Sequence, residues 1–237
     1  MTKYFKYFIY LYVFIGYSLS NAGSYEDFFN AIQNDRPEVI QRLLARGFDP
    51  NSPNEKGVPA LLVATQLKAS KCALVLAKHP LTKVEIVNPL NETPLMFAAI
   101  HNQLEVAQAL IERGADVNRK GWTPLHYAAT RGHRDMMRLL LDNHAYIDSE
   151  SDNGTTPLMM AAYYASPLAV KLLLEEGADP TLINHGKASA LDLALAADQK
   201  QSVNYLKAFT EAWFIANPIK EEAPEPKEEA ASEKKPG

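Results

Sequence analysis

Thr123-Pro124-Leu125-His126-Tyr127-Ala128-Ala129 is the sharpest pattern in the chain, and it recurs. Thr93-Pro94-Leu95-Met96-Phe97-Ala98-Ala99 precedes it, and Thr156-Pro157-Leu158-Met159-Met160-Ala161-Ala162 follows it. A segment that returns at a fixed spacing marks a structural unit. Aligned on the first motif alanine, the series Ala31, Ala64, Ala98, Ala128, Ala161 and Ala194 has intervals of 33, 34, 30, 33 and 33. A second series, Leu43, Leu76, Leu110, Leu140, Leu173 and Leu206, keeps the same intervals. A third, Val39, Cys72, Val106, Met136, Ala169 and Ser202, lies four residues earlier and so on the same helical face.

Each unit reads as two short helices. In the fifth, Pro157 suits a first helical turn, where its missing N–H is no loss, and Thr156 can cap that helix. Small alanines let the helices of a pair approach closely. Ser166-Pro167 opens the second helix, whose apolar face carries Leu168, Leu172, Leu173 and Leu174. Gly177 ends it in the left-handed conformation open to glycine.

With Gly121-Trp122 ahead of the central motif, Gly132-His133 after it, and Gly114-Ala115-Asp116-Val117-Asn118 and Gly177-Ala178-Asp179 closing units, the pattern resembles the ankyrin repeat. The resemblance covers about residues 24–216. It implies an all-α solenoid of about six helix-turn-helix units with short hairpin fingers and terminal capping units. The units run about 24–57, 58–91, 92–121, 122–154, 155–187 and 188–216, within a repeat domain 23–216.

Departures from the pattern carry expectations of their own. The first unit replaces Thr-Pro-Leu with Glu26-Asp27-Phe28 and reads as an N-terminal cap. The exit of the second, His79-Pro80-Leu81 to Val87, lacks the glycine turn and predicts an irregular connection. Only Arg119-Lys120 separates Asn118 from Gly121, so that finger is clipped. His144 stands where Gly114 and Gly177 stand and must take the left-handed turn at some cost. The aromatics Tyr205, Phe209, Trp213 and Phe214 are expected to cover the open C-terminal end.

The termini differ from the array. Lys3 and Lys6 precede an apolar run from Tyr7 to Leu19 and the small-residue exit Ser20-Asn21-Ala22-Gly23. This reads as a secretory signal peptide, residues 1–22, cut after Ala22; an uncleaved membrane anchor is the alternative. The expected compartment is a bacterial periplasm, with secretion as a variant. Residues 217–237 are rich in Pro, Glu and Lys and too poor in large apolar groups to offset ordering entropy, so disorder is expected. The net charge of −4 and the lack of a basic stripe argue against nucleic acid, and the single cysteine excludes an intrachain disulfide.

No catalytic, cofactor-binding or metal motif stands out. The six histidines are scattered, without metal-ligand pairing. The resemblance assigns His126 to hydrogen bonds within the loop scaffold, and Cys72 aligns with buried hydrophobes. The informative positions are those the repeat leaves free. The residue before Thr-Pro is Glu92, Trp122 or Thr155; the pair after Ala-Ala is Gln66-Leu67, Ile100-His101, Thr130-Arg131 or Tyr163-Tyr164. The resemblance places both classes on the concave side, where partners bind. Trp, Tyr and Arg are the residues that dominate binding hot spots. The expectation is therefore a non-catalytic, monomeric, exported protein-binding module with no cofactor, and with no membrane contact once the signal is removed. Two rivals remain: a spacer whose concave rings merely pack, and an enzyme with an unrecognised site.

Overall fold

The computed structural model describes residues 23–217. The expected signal segment, and all of the expected tail except Asn217, lie outside the described residues. Within them the chain forms twelve helices and no β-strand. Helix α1 spans 23–33. Then follow α2 (Pro37–Ala45), α3 (Ala60–Gln66), α4 (Ser70–Lys78), α5 (Pro94–Ile100), α6 (Leu104–Glu112), α7 (Pro124–Arg131), α8 (Arg134–Asp142), α9 (Pro157–Tyr164), α10 (Pro167–Glu175), α11 (Ala190–Ala196) and α12 (Lys200–Ala216). No described helix is long and apolar enough to cross a membrane.

The first helices of units three to six are each set by a capping box, whereas α3 starts after Pro59 without a side-chain cap. Thr93, Thr123, Thr156 and Ser189 accept from the N–H three residues on, and the side chain there accepts from the cap N–H in return. The return partner changes from Met96 Sδ to His126 Nδ1, Met159 Sδ and Asp192 Oδ2. The motif histidine is thus one of several chemical solutions to a single backbone problem.

Packing follows the small residues. Ala64, Ala98, Ala99, Ala128, Ala129, Ala161, Ala162 and Ala194 are fully buried, so the first helices seat closely on their own partners and on the next unit. Successive first helices α3, α5, α7, α9 and α11 pack tightly on one another, whereas α8 meets α6 and α10 sparsely. Leu76, Leu110, Leu140, Leu173 and Leu206 fill the layer between first and second helices.

Unit exits use one left-handed residue. After α6, Gly114 N–H donates to Ile111 O and Ala115 N–H to Leu110 O; after α10, Gly177 and Ala178 repeat the pattern. His144 makes the same bonds, to Leu141 O, with Ala145 to Leu140 O, at φ +65°. The irregular exit of unit two is held differently. The Arg113 guanidinium donates to four carbonyls, those of Ala77, His79, Pro80 and Thr82. Asn51 adds bonds to Leu81 O and from Lys83 N–H, and Asn118 makes the matching pair to His144 O and from Tyr146 N–H.

At the ends of the stack, Glu26 and Asp27 face solvent while Phe28 is fully buried against Phe29 and Phe48. The C-terminal aromatics divide. Tyr205 and Phe209 pack on the core, but Phe214 and Ile215 are exposed, because 17-residue α12 outruns the nine-residue second helices beneath it. Phe214 therefore does not cover the open end as its sequence position suggested.

Candidate functional site

Fingers project between units and are closed by a local device. Asn54, Asn88 and Asn184 each donate their N–H across the turn, to Val58 O, Glu92 O and Ala188 O, while their side-chain oxygens accept from those same residues' N–H groups. Ser151 closes the fourth finger on Thr155 in the same manner. The connection from Asn118 to Trp122 is three residues shorter and makes no such turn. The row of fingers therefore has a gap between 88–92 and 151–155.

A cleft of about 300 Å³ fills that gap, lined among others by Leu90, Glu92, Lys120, Trp122, Tyr127 and Asp152. Trp122 packs on His126 and Tyr127, with ring centroids 5.4 and 5.7 Å away, and stays 37% exposed. Tyr127 Oη donates to Glu92 Oε1 at 2.8 Å, and Asn88 Nδ2 donates to Glu92 Oε2 at 2.7 Å. Burial, then the Glu92 carboxylate, push the Tyr127 phenol well above its ordinary range, so it stays a donor. Next to the cleft, Arg119 pairs with Glu85 at 3.3 Å and donates to Asn91 Oδ1 at 2.8 Å.

The candidate residues fall into two groups. Glu92 and Trp122 meet at the finger gap. Leu67, Ile100, His101, Thr130, Arg131, Tyr163 and Tyr164 sit at the opposite ends of the first helices, one helix length of about 12 Å away. Helical spacing joins the two, since Phe97 and His101, Tyr127 and Arg131, and Met160 and Tyr164 are four residues apart on one face. Leu67, Tyr163 and Tyr164 are exposed, the last two as a T-shaped pair at 4.6 Å.

Three candidates are taken up by the scaffold. Thr155 is buried: its N–H goes to Ser151 Oγ and its carbonyl accepts from His126 Nε2 at 2.9 Å, so it presents almost no surface, contrary to its expected place among the partner contacts. The Thr130 hydroxyl donates to His126 O, and the Ile100 carbonyl faces His133 Nε2 at 3.1 Å. Tyr127 and Asn88 were not singled out from the sequence. Tyr127 hides in the variable slot of the motif, and only its register four residues after Thr123 could have marked it.

Two further titratable groups, His126 and Cys72, are enclosed in the scaffold. His126 is fully buried; burial lowers its pKa to about 4 against the Thr155 bond, so the ring is neutral. Its Nδ1 accepts from Thr123, which leaves the Nε2 proton for Thr155. Cys72 is fully buried on Ala31 O, and burial followed by the Asp35 charge pushes the thiol up to about 12. Among the described residues no three His, Cys, Asp or Glu side chains converge on a point that could hold a metal ion.

Comparison with known proteins agrees with this geometry. The family profile described as "Ankyrin repeats (3 copies)" matches residues 28–120, 117–184 and 144–212. The chain is similar to the human transient receptor potential cation channel subfamily A member 1, at 28% identity over 62% of this chain and 14% of that protein. It is also similar to the Drosophila melanogaster tyrosine-protein kinase Shark, at 28% identity over 83% of this chain and 22% of that protein. The chain thus spans less than a quarter of these curated relatives. A crystal structure of an ankyrin repeat domain from Acinetobacter baumannii superposes with a TM-score of 0.67 at 25% identity, over 77% of this chain and 96% of that one. Such domains are generally non-catalytic protein–protein interaction modules. Matched by the repeat profile from residue 28 to residue 212, the chain belongs to the ankyrin repeat family.

Proposed function

We propose that this chain is an exported, non-catalytic module that holds one protein partner on its first-helix face, anchored at the finger gap. The observation that carries the reading is the gap itself. Three residues are missing where the repeat normally closes a finger, and the space opens onto Trp122, Tyr127 and Leu90. Leu90 is 79% exposed, which a stack built only for rigidity gains nothing from. An aromatic ring with a fixed polar neighbour suits a surface that is wet when free and buried when bound. The exposed Tyr163–Tyr164 pair extends the same face toward the C-terminal units.

Export is supported by Lys3, Lys6, the apolar run from Tyr7 to Leu19 and the small residues before Gly23. A bacterial periplasm suits this arrangement, and the solved neighbour is bacterial. Mass spectrometry of the exported protein tests this half of the proposal. A mature chain beginning at Gly23 supports it, and a chain still beginning at Met1 contradicts cleavage. The binding half is tested by capture from the native compartment with wild type and with Trp122→Ala. Retained capture by a folded variant contradicts the finger-gap assignment.

A further inference from the structure

The turns between first and second helices carry a second feature, remote from the finger gap. Lys68 lies in the α3–α4 turn at φ +60°, His101 caps α5, Arg131 ends α7, and His133 precedes α8. They form one contiguous edge. The His101 ring lies beside the backbone of Gln66 in unit two, and His133 Nε2 lies 3.1 Å from Ile100 O in unit three. Lys68 and Arg131 sit two residues from those contacts. The lowered pKa of His101, caused first by burial and then by Lys68, Arg131 and His133, fits this crowding of like charge. Lys71 and Arg134 extend the edge along the adjoining second helices.

The acids along this edge do not pair with these cations. Asp35 faces inward and accepts from the Lys71 and Cys72 N–H groups. Asp135 pairs with Arg138 at 3.5 Å; Glu38 and Glu105, exposed in the first turns of α2 and α6, make no ion pair, and the exposed Glu112 and Asp142 lie at the far ends of α6 and α8. Among the described residues Lys68, Lys71, Arg131 and Arg134 form no ion pair, in a chain whose net charge is −4. Exposed apolar groups flank the edge: Leu67 at 53% beside Lys68, and Tyr164 at 60% beyond Arg131.

We propose that this turn edge of units two to four docks an acidic polypeptide segment carrying an apolar or aromatic residue. Its carboxylates reach Lys68 and Arg131, and its apolar side chain covers Leu67 or Tyr164. The inference rests on the chain being a protein-binding module, and it uses the turn end of the first-helix face, Tyr164 included, rather than the finger gap. Complementary charge across such an edge adds register and association rate, and salt screens it over about 8 Å at physiological ionic strength.

The test uses a fluorescein-labelled ten-residue peptide of Glu and Asp with one Leu and one Tyr, titrated with the full chain by fluorescence anisotropy. The expected result is saturable binding, weakened about tenfold by Lys68→Glu/Arg131→Glu and to a lesser degree by Lys68→Gln/Arg131→Gln. Trp122→Ala and the remote pair Arg42→Glu/Lys207→Glu should leave it unchanged, with circular dichroism confirming the fold of each variant. No saturable binding by wild type, or equal loss in the remote pair, overturns the proposal. So does displacement of the peptide by an equimolar single-stranded DNA oligonucleotide, which would mark a general polyanion surface. Loss with Trp122→Ala would move the peptide to the finger gap and contradict the turn-edge assignment. Peptide binding that persists while native capture survives Trp122→Ala would sink the finger-gap reading alone.

Discussion

Tyr127 Oη lies 2.8 Å from Oε1 of Glu92, so the finger before unit three leans on the first helix of unit four, across the place where a finger is missing. Tyr127→Phe deletes this donor and leaves a part-buried carboxylate with Asn88 as its side-chain partner. A bond to a charged group contributes about 1.5–3 kcal/mol, and partial exposure here places the expected loss near the lower end. Urea unfolding measures it. A double-mutant cycle with Glu92→Gln should show the two changes costing less together than their sum. Additive losses would mean that the contact carries no energy.

His126 makes stability depend on pH in a definite direction. Its folded pKa of about 4 lies below the unfolded value of about 6.5, so between these values the unfolded chain holds the extra proton. Stability is therefore complete above about pH 6.5 and falls as pH drops toward 4, with a slope of at most about 1.4 kcal/mol per pH unit from this ring. His101, also lowered, adds in the same direction; Asp148, raised mainly by burial, opposes it at the acid end. His126→Met isolates the ring, because Met96 and Met159 already serve as return partners in the same capping box. That variant should lose about 1 kcal/mol at pH 7 through the Thr155 bond, and should flatten the slope between pH 6.5 and 4. An unchanged slope in chemical denaturation would mean that His126 is not the sensor.

Arg113 replaces a missing glycine turn. Its planar fork satisfies four carbonyls at the exit of unit two, a geometry that a lysine ammonium cannot reproduce. Arg113→Ala should cost about 2–4 kcal/mol in urea unfolding, and Arg113→Lys should recover less than half of the loss. Hydrogen exchange should show the opening concentrated at residues 79–87. Full rescue by lysine would reduce the role of Arg113 to charge.

The fold was legible in the sequence because period, alanine pairs and Thr-Pro caps all repeat and all report backbone demands. Even the departures were legible as departures: the clipped finger, the left-handed His144 and the exit without glycine. What compensates them was not. Arg113 lies 31 to 36 residues from the carbonyls it holds, and nothing local in the sequence marks that reach. The candidate site was half legible. Positions free of the repeat pointed to Trp122 and to the tyrosine pair. But position alone cannot tell an open side chain from one bonded to the next unit, which is how Thr155 was included and Tyr127 missed.

The central claim is that the first-helix face, and not the stack as a whole, is the working surface. Capture of a partner from the native compartment by the full chain tests it most directly, comparing wild type with Trp122→Ala/Tyr163→Ala/Tyr164→Ala. These rings are 37%, 39% and 60% exposed, so the triple variant should keep its helical circular dichroism and a cooperative melt. The account predicts that the specific partner seen with wild type is lost, with the fold intact. Undiminished capture of that partner by the folded triple variant would contradict it.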